Sequence, residues 1–371
     1  MPALRSLAKT AAAELMTRSG AFRLLRPRAD AAAAPLVLGY HRVVEDTSGD
    51  ASIPAMMVTT AMLERQLEWV GRRYRYVTLD ELARSLGSGG PPGPLAAVTF
   101  DDGYADVHRN AFPLLRRMGV PAAVFVVSGL VGGRRLQTHD RLFLSITRLL
   151  AAGDGADCVL WRLAGQGLQP PSPEVMSRAT SSDVMALLGA LRLSLSTSSL
   201  ERLSLTLAAD ARLDEAGFPE LLPLTWAEVA EMADAGVTIG SHARTHALLT
   251  QETRESVRDE LVCSRRALEE RLGRPVLHFA YPDGRFDAGV VEEVAAAGYR
   301  SAYTTCHHRD PRHPLLTISR RLLWENSCRD GAGRFSAAVM ACQVGGVFDL
   351  MGRCRQQHGA VEPPRQGAQW T

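Results

Sequence analysis

The chain has 371 residues, of which 46% are hydrophobic and 22% charged, with 42 basic against 40 acidic groups and a formal net charge of +2. That length holds one large barrel or sheet domain, or two ordinary ones. The charge balance lacks the basic excess of a nucleic-acid binder, and no run is long and apolar enough to span a bilayer. Residues 1–34 are basic and Ala/Leu-rich, but Lys9, Glu14, Arg18 and Arg23 interrupt every apolar core that an export signal would need. They are predicted as an amphipathic helical segment, packed on the protein or lying on a membrane surface.

PLVLGYH (35–41) reads as a short buried strand ending in a polar residue. Residues 59–73 carry helical spacing at Met62, Leu63, Leu67 and Val70; 76–78 read as a strand and 79–86 as a helix. LAAVTF, then DDGYADVH, then NAFPLLRRMG and VPAAVFVVS give strand, turn, helix and strand, a βαβ unit. Residues 129–222 break the alternation with helical stretches such as DRLFLSITRLLAAG, and are read as a helical insertion, at about 132–222, between barrel or sheet units. The rhythm then resumes: a helix at TWAEVAEMADAG capped by Thr225, a strand at VTIGSH, a charged helix over 250–272, a strand and turn at VLHFAYPDG, a helix at DAGVVEEVAAAG, and strands at YRSAYTT and LLTISRR. Repeated α/β units argue for a doubly wound sheet or a (β/α) barrel, with active groups at the C-terminal strand ends. Residues 331–371 form a C-terminal extension, and its Gln-, Pro- and Gly-rich end from 352 is expected to be disordered.

Six cysteines, at 158, 263, 306, 328, 342 and 354, show no CxxC pair or zinc-knuckle spacing. Free thiols in a reducing compartment are the simpler reading, with periplasmic disulfides the alternative. His41, Asp101, Asp102, His242, His246 and the turn Pro282-Asp283-Gly284 each follow an apolar, strand-like run. In a parallel fold those ends share one face. His242 and His246, four apart, together with a carboxylate form a common set for a borderline divalent ion, chiefly Zn²⁺, with Fe, Co or Ni as alternatives. One carboxylate of the Asp101-Asp102 pair could then bind the ion while the other takes a proton from water.

The runs YHRV, TFDDGYADVHRNAFPLLRRMGVPAAVFV, LTWAEVAEMADAGVTIGSHARTHALLT, SRRALEERLGRPVLHFAYPDGRFD and AAGYRSAYTT occur between residues 36 and 320. In these the sequence resembles the polysaccharide deacetylase family, whose shared unit is the NodB-type catalytic domain, and within it the exopolysaccharide branch. The resemblance implies an α/β fold, a distorted (β/α)7 barrel over 35–330, and metal-dependent hydrolysis of N-acetyl groups on a sugar. It implies Asp101 as general base, Asp102, His242 and His246 as metal ligands, the Asp283 backbone N–H as oxyanion donor, and His41 of YHRV as general acid. Ala243 stands where the family has Ser or Thr, Ala280 where many members have Arg, and Asp283 where an aromatic is usual. No histidine occupies the family's late Leu-His position around Ile318–Arg320, and Trp324 falls too late for the family's DxxxxW motif.

The implied partner is an N-acetylated sugar, lipid- or nucleotide-linked, handled in the cytoplasm or on the inner membrane face. The competing readings are a degenerate carbohydrate-binding protein without turnover, and a hydrolase of another amide or ester. Other polar residues receive plainer readings: Asp106 and His108 as helix-start or surface groups, His139-Asp140-Arg141 as insertion residues with contact to substrate the lesser alternative, and His307, His308 and His313 as surface groups. Arg320 and Arg321 are read as substrate-anion ligands or solvent-facing residues.

Overall fold

The computed structural model describes residues 2–19, 35–47, 53, 56–88, 93–153, 156–165, 167, 184–348 and 358. Its strands, in chain order, are β1 Leu36–Tyr40, β2 Arg42–Val44, β3 Met57–Thr59, β4 Arg75–Tyr76, β5 Leu95–Phe100, β6 Ala122–Val126, β7 Thr238–Ser241, β8 His278–Ala280, β9 Ser301–Thr304, β10 Ile318–Ser319 and β11 Arg321–Leu322. Eight of them follow the order β10-β9-β8-β7-β6-β5-β1-β11, every pairing parallel, and β4 adds to β5. β2 and β3 form a separate parallel pair.

This is a nearly closed parallel barrel, and Arg320 sits at its seam. β10 pairs with β9 and β11 pairs with β1, so one short stretch of chain, 318–322, touches both edges. The Arg320 N–H donates to the Thr304 carbonyl at 2.8 Å, and the Leu323 N–H donates to the Gly39 carbonyl at 2.9 Å. β10 and β11 are thus two halves of a last strand that changes partners at one residue. That reconciles eight strand segments with the expected seven strands.

Alternation along each strand sorts the core. Val37, Ala97, Ala123, Phe125, Ala280, Tyr303 and Ile318 pack together inside, joined by Leu79, Leu82 and Leu86 of the helix Leu79–Gly87. Leu36, Leu38, Ala96, Val98, Val124 and Phe279 face the surrounding helices. The same parity carries inward from Ala97 through Thr99 to Asp101, and from Gly240 to His242. Inside, Gly240 admits the Phe125 ring: a Cβ there would lie 2.5 Å from the ring carbons and 3.0 Å from the His278 carbonyl oxygen.

The helix starts follow their capping residues. Thr225 and Glu228 form a capping box for Trp226–Asp234, and Thr78 with Glu81 does the same for Leu79–Gly87. The charged helix begins at Arg254, later than the expected 250, because Thr253 caps it and Leu249–Gln251 forms a separate 3₁₀ turn. Between β6 and β7 lie the helices Thr138–Ala151, Ala156–Gly165, Val184–Ser194 and Thr197–Asp210. They build their own core from residues including Leu142, Ile146, Leu163, Leu188, Leu191, Leu203 and Leu207. In the helix Pro2–Arg18, Ala13 and Met16 pack with Val339 and Cys342 of the helix Ala337–Val344. Beyond Phe348 only His358 is described, so the disorder expected from 352 falls outside the described residues, and His358 itself is buried.

Asp106 is neither a cap nor a surface residue. It is buried, its Oδ2 lies 2.9 Å from Arg42 Nε, and its Oδ1 accepts the Val43 N–H. Arg42 directly follows His41, so this pair anchors the chain where it leaves β1.

Gly240→Ala is expected to lower the thermal unfolding midpoint by an amount corresponding to about 1–3 kcal/mol, because Phe125 is packed against Tyr303 and cannot yield. Gly189→Ala, in a helix with nothing near the added carbon, is the matched control and is expected to be neutral or stabilising by about 0.5–1 kcal/mol. Differential scanning calorimetry of both variants checks the contrast.

Candidate active site and metal centre

Asp101 and Asp102 follow the last residue of β5, and they part there. Asp101 keeps the inward direction of its strand and meets Arg320. Two parallel bonds join them, Arg320 Nη1 to Asp101 Oδ1 and Nη2 to Oδ2, each 2.6 Å, and Nη1 also donates to Thr99 Oγ1 at 3.1 Å. Both side chains are buried, at 4% and 0% exposure. Burial works to raise the Asp101 pKa, but the Arg320 charge and hydrogen bonds outweigh it, with help from His242 and His41, and hold the carboxyl down to about 2. Arg320 is therefore not a substrate-anion ligand or a solvent-facing residue.

Asp102 has φ 71°, a left-handed conformation that an Asp adopts at some cost, and this turns its carboxylate away from its neighbour's. The Gln137 side-chain amide donates to the Asp102 carbonyl at 3.2 Å. Asp102 Oδ1 lies 3.6 Å from His242 Nε2 and 3.3 Å from His246 Nε2, and accepts no hydrogen bond. Burial, and then the negative charge of Asp101, push the Asp102 carboxyl well above the usual range. Burial lowers the pKa of both imidazoles, so neither supplies a positive charge at neutral pH.

The histidines are set by their surroundings. His242 Nδ1 is 2.8 Å from the Ala280 carbonyl, which can only accept; the proton is therefore on Nδ1, and the Nε2 lone pair faces Asp102. His246, at φ 61°, and Ala243, at φ 66°, lie in a strained loop. Glu260 holds it: one carboxylate oxygen accepts the Arg244 and Thr245 N–H groups, each at 2.8 Å, and the other accepts the Thr245 hydroxyl at 2.7 Å. The Ala243 carbonyl accepts from the Ser128 N–H and the Ser264 hydroxyl. The loop thus stays anchored without a hydroxyl at position 243.

The residues present fit a divalent ion. Oxygen and nitrogen ligands of a tetrahedral Zn²⁺ lie about 3.3 Å apart at ordinary bond lengths. The Asp102–His246 separation matches that value and the Asp102–His242 separation slightly exceeds it, and the Asp102 oxygen lacks any other partner. Asp102, His242 and His246 thus form one candidate metal cluster among the described residues; a second joins Cys306, His308 and His358.

Asp283 has φ 57° in the turn Pro282–Gly284. Among the described hydrogen bonds none uses its N–H, while the Gly284 and Arg285 N–H groups bond back to Tyr281 and Pro282. Its carboxylate is paired with Arg192 of the helix Val184–Ser194 at 2.5 Å. His41, half-buried at the end of β1, feels the charges of Asp101, Arg320, His242 and Asp283; burial, the largest influence, pushes it down to about 4.

The structure thus brings all six sequence-derived residues to one end of the barrel. It also adds groups that the sequence reading missed. Arg320 was legible in principle, because it shares inward parity with the buried Ile318. Glu260, Arg192 and Gln137 carry no local signal, since each acts across 15 or more positions of chain. His139 of the insertion lies beside the site: its ring centroid is 5.2 Å from that of His246, and its Nε2 is 2.9 Å from the Tyr104 hydroxyl, which donates to Asp140 at 2.7 Å. His139, Arg192 and Leu200 of the insertion line a small cavity with Thr245, His246 and Leu248.

The family model for polysaccharide deacetylase matches residues 88–156 and 201–302. The interval between the matched stretches falls within the helical insertion. A poly-beta-1,6-N-acetyl-D-glucosamine N-deacetylase from Staphylococcus aureus (strain MSSA476) is 26% identical over 117 residues, which cover 29% of this chain and 40% of that protein. Its counterpart from Staphylococcus epidermidis (strain ATCC 35984) is 28% identical over 117 residues with the same coverage, so the chain spans less than half the length of both relatives. Among solved structures, IcaB from Ammonifex degensii superposes with a TM-score of 0.51 at 18% identity, covering 84% of this chain and 97% of that one. The Streptococcus pyogenes deacetylase PplD, in complex with acetate, gives 0.50 at 16% identity, covering 80% and 95%. At such identities the structural likeness speaks for the fold. With the matched stretches holding β5, β6, β7 and β8 and the strand-end motifs of the site, the chain belongs to the polysaccharide deacetylase family.

Proposed function

We propose that this chain removes N-acetyl groups from an amino sugar, releasing acetate, with a divalent ion held by Asp102, His242 and His246. One observation carries the reading: a buried carboxylate oxygen faces the Nε2 atoms of two histidines with no other partner, beside a second carboxylate that has its own counter-ion. A binding protein has no use for that second, separately ionised carboxylate. When bound there, the ion lowers the pKa of a water molecule and polarises the acyl oxygen.

The chain's own groups do the rest. Asp101, kept ionised and fixed in direction by Arg320, accepts the proton of the attacking water. The Asp283 N–H, aimed by its left-handed backbone, donates to the oxygen of the tetrahedral intermediate. Arg192 neutralises the Asp283 carboxylate, so an acidic side chain there does not oppose that developing charge. His41 delivers a proton to the leaving nitrogen. It enters the cycle neutral, so it must first collect that proton within the turnover, and Asp101 is the neighbouring donor.

The relatives' names make a β-1,6-linked N-acetylglucosamine oligomer the first substrate to try, beside lipid- and nucleotide-linked N-acetyl sugars. No helix among the described residues is long and apolar enough to cross a membrane.

Asp101→Asn is expected to keep its metal and lose acetate release by at least about 10²-fold. Metal analysis with an acetate assay checks this; unchanged turnover would remove Asp101 from the chemistry, and no release by the unaltered protein on any acylated sugar would favour a binding role. Arg320→Met leaves Asp101 buried without its counter-charge, and is expected to cost about 3–5 kcal/mol of stability as well as activity. Chemical denaturation and the same assay read both effects.

Glu260→Ala is expected to weaken metal binding by about 10–100-fold, because nothing else then holds the Arg244 and Thr245 amides. Competition with a chromogenic chelator measures it. Arg192→Ala, which leaves the Asp283 carboxylate unneutralised beside the developing charge, is expected to lower kcat with little change in metal content.

A further inference from the structure

We propose that Cys306, His308 and His358 form a second metal site, structural in role and suited to Zn²⁺. Cys306 Sγ lies 2.9 Å from His308 Nδ1 and 3.2 Å from His358 Nε2, and the two rings stand 4.4 Å apart. Cys306 and His358 are 5% and 6% exposed, well out of bulk water. His358 Nδ1 donates to the Phe286 carbonyl at 2.9 Å, which fixes its tautomer and presents Nε2 to the sulfur. An outer hydrogen bond of this kind orients metal-bound imidazoles generally.

A thiolate with two imidazoles is a soft-to-borderline set that selects Zn²⁺ over Mg²⁺ or Ca²⁺. Sulfur and nitrogen ligands of a tetrahedral Zn²⁺ lie about 3.5 Å apart, so the present separations need to widen by under about 1 Å. As the Cys306 S–metal bond forms, the thiol proton passes to solvent. In sequence, Cys306-His307-His308 gives C-x-H, and His358 adds a third ligand from the C-terminal extension.

The site lies directly behind the oxyanion turn. The Thr304 hydroxyl donates to the Gly284 carbonyl at 2.6 Å, and the Cys306 N–H donates to that same hydroxyl at 3.1 Å. A Cβ on Gly284, at φ 65°, would lie 2.1 Å from Thr305 Oγ1, so segment 304–306 is pressed against the turn. An ion on Cys306, His308 and His358 would therefore tie the end of β9 and a residue far along the C-terminal extension to the exit of the turn carrying Asp283. His308 is accordingly no plain surface residue.

The test uses the full chain, purified under reducing conditions and loaded with Co²⁺ or Zn²⁺ alone. In the His242→Ala/His246→Ala protein, which keeps every group of the second site, one equivalent of Co²⁺ is expected to remain, with a thiolate-to-cobalt charge-transfer band in the near ultraviolet. The unaltered protein is expected to bind two equivalents. Cys306→Ser and His358→Ala should each lose one equivalent and the band. Binding of no Co²⁺ by the His242→Ala/His246→Ala protein, or binding without the band, would overturn the proposal. So would a disulfide at Cys306 whose reduction yields no metal binding. The readout involves no turnover, so its failure and the failure of the deacetylase reading are separable.

Discussion

Two adjacent carboxylates buried at one strand end must each find a compensating charge, and they cannot share it. Left alone, each would resist ionisation through loss of water and through its neighbour's field. The structure divides the problem by backbone conformation. Extended geometry sends Asp101 inward to a bidentate arginine, and a left-handed φ turns Asp102 outward to two neutral histidines. Asp101 is thereby ionised, whereas Asp102 is left needing a cation. This asymmetry lets one carboxylate serve as a base and the other as a ligand.

The barrel supplies the two partners from opposite directions. Arg320 comes from the seam, where the last strand leaves β9 for β1 and one residue belongs fully to neither. His242 continues the inward parity of β7, and His246 is brought back by a loop that Glu260 ties down. Among the described residues five non-glycine residues have positive φ, and four of them, Asp102, Ala243, His246 and Asp283, are in this site or its supporting loop. Local strain is concentrated where the chemistry needs unusual directions.

Much of this was legible in the sequence, and the boundary of legibility has a physical basis. Strands ending in His41, Asp101 and His242 announce themselves because apolar runs stop at a polar residue, and a parallel barrel gathers such ends on one face. The cap Thr225 fixes a helix start through local hydrogen bonds, whereas the start set by Thr253 was expected four residues too early. What local pattern cannot show is a partner far along the chain. Arg320 was read as a surface or substrate-binding cation because the seam that buries it exists only after closure. Asp106 looked like a cap because its partner, Arg42, is 64 positions away. The part played by the insertion was not legible, because Gln137, His139 and Arg192 reach Asp102, His246 and Asp283 only across the fold.

The central claim is the division of labour between the two aspartates. Anomalous diffraction from crystals grown with Zn²⁺ tests it most directly. The account predicts an ion bonded to Asp102, His242 and His246, with both Asp101 oxygens still on Arg320. An ion bonded through Asp101, or a site between the two histidines and Asp102 that stays vacant at saturating Zn²⁺, would contradict it.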